Sequence, residues 1–178
     1  DSNNIINIYG DMPFVDSEII KSLIEKHIMD NNDITIVTNI ISNPQGYGRI
    51  VNYQDGFKIV EENELCESEK NIKEVNSGIF IGKKNVIKNL LEEIDNDNKD
   101  HEFYLTSIFK KATKKLQVGK IVYNNDYRLM GINDINTLKK MEQLFDKPFA
   151  WWYNSHIYYL GGWMKAKELW QKYLLSNM

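Results

Sequence analysis

The sequence predicts an α/β fold with a mixed, mostly parallel sheet and helices on both faces, and three observations lead there. Short β-branched runs alternate with stretches whose apolar residues recur at helical spacing. The first alternation, a strand at residues 5–9, a helix from Asp16 and a strand at 34–38, has the short joints of a parallel strand, helix, strand unit. With 178 residues, 42% of them hydrophobic and only 3 Pro, the chain can bury one core and has no linker-like composition.

Each element has its own warrant. Ile5-Ile6-Asn7-Ile8-Tyr9 is apolar and β-branched and runs into Gly10-Asp11-Met12-Pro13, which places Asp11 at the carboxyl end of a strand. Asp16 precedes Ile19, Ile20, Leu23, Ile24 and Ile28 as a helix cap would, with Glu18 in the positive first turn. After the loop Asn43-Pro44-Gln45-Gly46-Tyr47-Gly48, residues 49–53 and 57–61 flank the turn Gln54-Asp55-Gly56 as a hairpin. An acidic surface loop at 61–73 leads to a strand at 75–81, whose apolar pattern Asn76 and Ser77 interrupt. Two amphipathic helices follow. The first carries Val86, Ile87, Leu90, Leu91 and Ile94, the second Phe103, Leu105, Ile108, Phe109, Ala112 and Leu116, with an Asp/Asn-rich stretch at 95–100 between them. A strand at 118–123, a loop through Gly131-Ile132-Asn133 and a helix from Asp134 end the patterned region. Residues 146–178 form an aromatic segment with a helix, read as an apolar docking piece, with a carbohydrate platform or membrane-surface helix as the alternatives.

Composition excludes several classes. A net charge of −3 gives no positive field for a phosphate backbone, so no nucleic-acid partner is expected. The single Cys66 precludes an intrachain disulfide and a cysteine-only zinc cage, and it reads as a passive thiol. No apolar run is long enough to span a bilayer, and a soluble, cytoplasmic protein is expected. The first residue is Asp rather than Met, as in a processed product or an excerpt of a longer chain. There is no P-loop, nucleophile elbow or His-Glu-x-x-His helix, and His27, His101 and His156 share no ligand spacing. Polar residues at strand ends and loops remain: Tyr9, Gly10 and Asp11, Gly46 to Gly48, Glu61, Asn76 and Asn133. Ligands of open α/β sheets sit outside the carboxyl ends of parallel strands, which singles out Asp11 by position. Taken singly, each residue also has a structural reading: a turn at Asp11, hairpin geometry at Gly48, a solvated edge at Glu61, a strand bulge at Asn76, a helix start at Asn133.

Six motifs nevertheless occur together and in a familiar order. They are Tyr-Gly-Asp-Met-Pro at 9–13, Asn-Pro-Gln-Gly-Tyr-Gly-Arg-Ile-Val at 43–51, Ile-Val-Glu-Glu at 59–62, Glu-Val-Asn-Ser-Gly-Ile at 74–79, Glu-Phe-Tyr-Leu-Thr at 102–106 and Gly-Ile-Asn at 131–133. From Ile5 to Leu144 the chain resembles the uridyltransferase domain of bacterial bifunctional N-acetylglucosamine-1-phosphate uridyltransferase. The resemblance implies that residues 1–145 are the C-terminal part of a Rossmann-like nucleotidyltransferase domain. It implies transfer of UMP from UTP to N-acetylglucosamine 1-phosphate, with Mg²⁺ as cofactor and Asp11 and Asn133 as its protein ligands. By the same motifs Tyr9 and Gly10 border the nucleotide sugar, and Gly48 offers its backbone N–H. Glu61 accepts from sugar hydroxyls, and Asn76 turns its amide to the sugar or its N-acetyl group. Tyr47, Arg49, Tyr104 and Thr106 take a second rank, and Ser107 departs from the acidic residue usual in the family.

The family's glycine-rich triphosphate loop, its lysine and its uracil-reading elements have no counterpart in residues 1–178, and neither has its hexapeptide-repeat acetyltransferase half. No acetyl transfer is expected, and the chain alone is expected to be inactive. Either its nucleotide-binding part lies upstream or on another chain, or this is a non-catalytic module that binds sugar nucleotides or a protein partner. The expected partners are UTP, a sugar 1-phosphate or a UDP-sugar, together with an N-terminal half on another chain or a second copy paired through the strand edge at Ile5 to Tyr9.

Overall fold

The computed structural model describes residues 3–54, 56–99 and 101–145; the aromatic segment and the predicted division at residue 145 lie at or beyond that limit. The elements run β1 (Asn4–Asn7), α1 (Ser17–Met29), β2 (Ile34–Ile40), β3 (Arg49–Tyr53), β4 (Gly56–Val60), β5 (Glu74–Lys83), α2 (Lys84–Glu92), α3 (Ser107–Lys115), β6 (Val118–Asn124) and α4 (Ile135–Phe145). Local chemistry explains the starts of α1 and α4. Asp16 caps α1, its Oδ1 accepting the N–H groups of Glu18 and Ile19 at 3.1 Å each. Asp134, rather than Asn133, caps α4 by accepting from the N–H groups of Asn136 and Thr137, both at 2.8 Å.

The six strands form one sheet in the order β4-β3-β5-β2-β6, with β1 on β5 beside this path. The sheet is mixed, but the expectation that it is mostly parallel is corrected. Among the described residues only β2 and β6 pair in parallel, while β1, β2 and β3 are all antiparallel to β5. The cause is the long strand β5, which enters between β1 and β2. Those two still point the same way, as a strand, helix, strand unit requires, yet each hydrogen-bonds to β5 and not to the other. The outer edge of β1 has no strand partner among the described residues, and Ile5 is exposed there.

Helices cover both faces. On one side α1 lays Ile19 and Leu23 against Val37, Ile79 and Ile81. On the other, α2 and α3 bring Ile87, Leu90, Ile108 and Phe109 against Ile34, Ile36 and Phe80, and the β3–β4 hairpin adds Ile50 and Phe57 to that core. Strand alternation explains the division, since Ile34 and Ile36 face one layer and Val37 the other. The helix α3 starts four residues later than Phe103, which is 70% exposed rather than part of the apolar face. The preceding Asn/Asp stretch accounts for this. Asn98 bonds the N–H and the C=O of Glu102, and His101 adopts φ 54°, so the chain is held in a turn instead of a helix.

Candidate functional site

The site begins where β1 ends. Tyr9, Gly10, Asp11 and Met12 form a turn closed by the Met12 N–H on the Tyr9 carbonyl (3.3 Å), with Met12 buried and Gly10 exposed. The Tyr9 ring lies directly on Gly78 of β5: a Cβ there would stand 2.2 Å from Tyr9 Cε2, and Gly78 has φ +82°. Only glycine meets both conditions. This glycine sits in an irregularity, because one residue of β2, Val37, spans three of β5, Ser77, Gly78 and Ile79. Side chains support the bulge. Asn76 Oδ1 accepts the Gly78 N–H (3.0 Å), and the Ser77 hydroxyl donates to the Val37 carbonyl (2.7 Å). Asn76 thus has the structural role that the sequence left open as an alternative, while its NH₂ group makes no hydrogen bond among the described residues.

A wall of polar groups adjoins this bulge. The Asn76 N–H donates to the Gly48 carbonyl (2.9 Å), which ties the glycine loop to β5. A Cβ on Gly48 would lie 3.3 Å from Glu61 Oε2, so the missing side chain is what lets Glu61 close against the loop. Glu61 Oε1 accepts the hydroxyl of the buried Thr106, which brings the start of α3 into the wall. Arg49, 2% exposed, donates to the Tyr47 carbonyl and pairs with Glu62 at 2.7 Å, bracing the loop from behind. Tyr104 accepts from Asn63 at 3.3 Å, farther along the same rim.

Asp11 and Asn133 come together across the loop that precedes α4. A Cβ on Gly131 would stand 2.9 Å from Asp11 Oδ2 and 3.5 Å from Asn133 Nδ2, so both side chains border the space that Gly131 leaves clear. The Ile132 N–H donates to the Asp11 carbonyl at 2.9 Å, which locks the two loops together. Tyr47 reaches this corner from the glycine loop, its hydroxyl receiving the Gly131 N–H. Burial is the main cause that pushes the Tyr47 phenol up, and the charges of Asp11 and Asp134 add to it. Tyr9 is raised in the same way, by burial first and then by Glu61 and Asp11. Both phenols therefore stay protonated at neutral pH, and Tyr9 senses the carboxylates of both halves of the site. No three His, Cys, Asp or Glu side chains gather as a metal set among the described residues. The donor set at Asp11 and Asn133, one carboxylate and one amide, instead fits a hard cation that completes its shell with water and phosphate oxygens.

Residues 2–164 match the nucleotidyl transferase family. The chain belongs to that family. Among curated relatives, it is 37% identical over 143 residues to the bifunctional protein GlmU of Thermosipho melanesiensis, covering 80% of this chain and 31% of that protein. The GlmU of Acetivibrio thermocellus is 39% identical over 133 residues, covering 73% of this chain and 29% of the relative. The chain thus spans about a third of the length of the relatives it matches. A crystal structure described as a glucose-1-phosphate thymidylyltransferase from Bacillus anthracis superposes with a TM-score of 0.50 at 14% identity, over 80% of this chain and 51% of the other, and so shares the fold.

Within this nucleotidyl transferase chain, the structure gathers Tyr9, Asp11, Gly48, Glu61, Asn76 and Asn133 around two adjoining corners. It leaves the histidines out. His27 is buried beside Thr35 (3.1 Å), His101 is exposed, and His156 lies outside the described residues. Cys66 is exposed in a local turn with Ser68. Gly78 and Gly131 were not singled out from the sequence, although each stands inside a quoted motif. A glycine carries no chemistry of its own to read, and only the close approach of Tyr9 or Asp11 reveals the need for it.

Proposed function

We propose that this chain provides the sugar- and cation-binding part of a nucleotidyl transferase that joins UTP to N-acetylglucosamine 1-phosphate, giving UDP-N-acetylglucosamine and pyrophosphate. The observation that carries the reading is the meeting of Asp11 and Asn133 at Gly131, from positions more than a hundred residues apart, beside a wall of hydrogen-bonding groups. In the reaction a sugar-phosphate oxygen forms a bond to the α-phosphorus of UTP while the bond to the departing pyrophosphate breaks. Such transfers depend on positioning and charge neutralisation rather than on a covalent nucleophile.

The placements support a role for each residue. Asp11 and Asn133 would hold Mg²⁺, which when bound neutralises phosphate charge. Glu61, held by Thr106, accepts from sugar hydroxyls. Asn76 spends its oxygen on Gly78 and so has its NH₂ to donate, which suits an acceptor such as an N-acetyl carbonyl. Tyr9, kept protonated, is a hydroxyl donor over the bulge. Gly48 presents backbone where a Cβ would crowd Ile59 and Glu61, and so leaves room for the sugar.

Calorimetric titration with UDP-N-acetylglucosamine and UDP-glucose in the presence of Mg²⁺ tests the reading. Tighter binding of the acetylated sugar, weakened by Asn76→Ala, is expected. Equal affinities, or full activity of a complete enzyme carrying Asp11→Ala, would overturn it.

A further inference from the structure

The chain carries twenty lysines and only two arginines, Arg49 and Arg128, and the second has no role in the site described above. It lies just ahead of the Gly131–Asn133 loop. Its guanidinium reaches three carboxylates from two parts of the chain. Nη1 donates to Asp16 Oδ2 at 2.7 Å and to Glu18 Oε2 at 3.0 Å, and Nη2 donates to Asp126 Oδ2 at 2.7 Å. Nε sits 3.1 Å from both oxygens of Asp126. Two of the three partners are themselves fixed. Asp16 uses its other oxygen to cap α1, while the backbone N–H and C=O of Asp126 bond the side-chain amide of Asn39, which is 2% exposed in β2. Next to Arg128, Leu129 is buried in the same core as Met12.

The loop bearing Asn133 and the segment bearing Asp11 are therefore fastened at two points: Arg128 to Asp16, and the Ile132 N–H to the Asp11 carbonyl. Asp11 and Asn133 face one another close to the second fastening, beyond the first. We propose that Arg128 is a positioning residue that keeps the Asn133 loop in register with Asp11 and thereby sets the affinity of the divalent-cation site. The inference rests on the reading that these two side chains hold the cation. A planar fork with several fixed donors suits this duty, because one lysine ammonium cannot hold three carboxylates in a defined geometry.

The sign of the effect separates positioning from simple electrostatics. Removing a positive charge and leaving three carboxylates uncompensated would, by charge alone, tighten the binding of a cation. Loss of register weakens it. The test is titration of Mn²⁺ by electron paramagnetic resonance into the protein with UDP-N-acetylglucosamine present, for the parent, Arg128→Met, Arg128→Lys and Asp11→Ala. Nucleotide-sugar affinity without metal and a thermal melt are recorded alongside.

Arg128→Met should weaken Mn²⁺ by about tenfold, in the range seen when groups supporting a metal ligand are removed. Arg128→Lys should fall between it and the parent, and metal-free affinity for the nucleotide sugar should not change. Parent-like or tighter Mn²⁺ binding by Arg128→Met, with Asp11→Ala having lost the ion, overturns the role of Arg128 and leaves the cation site standing. Parent-like Mn²⁺ binding by Asp11→Ala overturns the cation site and this inference with it. If Arg128→Met does not fold, Arg128→Lys decides, since a folded lysine variant with parent affinity is equally contrary.

Discussion

Glu61, Gly48 and Asn76 stand on or beside strands whose backbones are tied together through the β3–β4 ladder, the Arg49–Val75 pair and the Asn76 N–H on Gly48. Asp11 stands on a turn and Asn133 on a loop; among the described residues these share no ladder and are held by single bonds and side-chain clasps. The wall of polar groups is thus supported largely by main chain, with Asn76, Ser77 and Arg49 adding side-chain bonds. The corner of Asp11 and Asn133 depends on distant side chains, so its geometry is open to substitutions that fall on neither residue.

The comparison is broken most severely by Asp11→Ala. Rates of a complete enzyme should fall roughly 10²- to 10³-fold, as when an electrostatic anchor of a transition state is lost, with circular dichroism little changed. A fall of only a few fold would remove the corner from the chemistry. The converse substitution, Gly78→Ala, attacks the wall of polar groups through its backbone. A side chain at φ +82° colliding with Tyr9 should cost about 1–3 kcal/mol of stability, read from the urea midpoint, and should weaken nucleotide-sugar binding as Tyr9 is displaced.

Asn76 offers a finer cut. Asn76→Ala loses the acceptor for the Gly78 N–H and should cost about 1 kcal/mol, together with sugar affinity. Asn76→Asp keeps the acceptor and loses the NH₂, so stability should hold while affinity falls. Equal stability losses in the two variants would make the residue a bulge support alone.

The smallest effect belongs to His27, at the opposite end of α1 from Asp11. Burial, helped by Lys83, lowers its pKa in the folded protein. The unfolded chain therefore binds the proton more readily, so the stability due to neutral His27 is complete above a pH of about 6.5 and is lost as the pH falls through the folded value. His27→Gln should flatten that decline in a pH series of urea melts, leaving Mg²⁺ dependence unaltered.

Local chemistry made much of the fold legible. The Asp16 cap, the hairpin around residue 55 and the helix from Asp134 follow from neighbours in sequence, and the structure holds each of them. What escaped was set by distant partners. The insertion of β5 between β1 and β2 is a pairing over some seventy residues that no local pattern encodes. Arg128 carries no local signal of its clasp, because Asp16 and Glu18 lie more than a hundred positions away. The late start of α3 shows a local signal outweighed, since the apolar spacing from Phe103 lost to the bonds of the Asn98 side chain with the Glu102 backbone. At the site, the order of six motifs pointed to residues whose individual chemistry was ordinary, Gly48 among them, whereas Gly78 and Gly131, which make room for Tyr9 and Asp11, were silent.

Anomalous diffraction from a crystal soaked with Mn²⁺ and UDP-N-acetylglucosamine tests the pairing of Asp11 and Asn133 most directly. The account predicts one peak bonded to an Asp11 carboxylate oxygen and the Asn133 amide oxygen, at about 2.0–2.2 Å as for a small hard cation, and touching the diphosphate. A diphosphate-bound ion that leaves either side chain out of its coordination shell would contradict it.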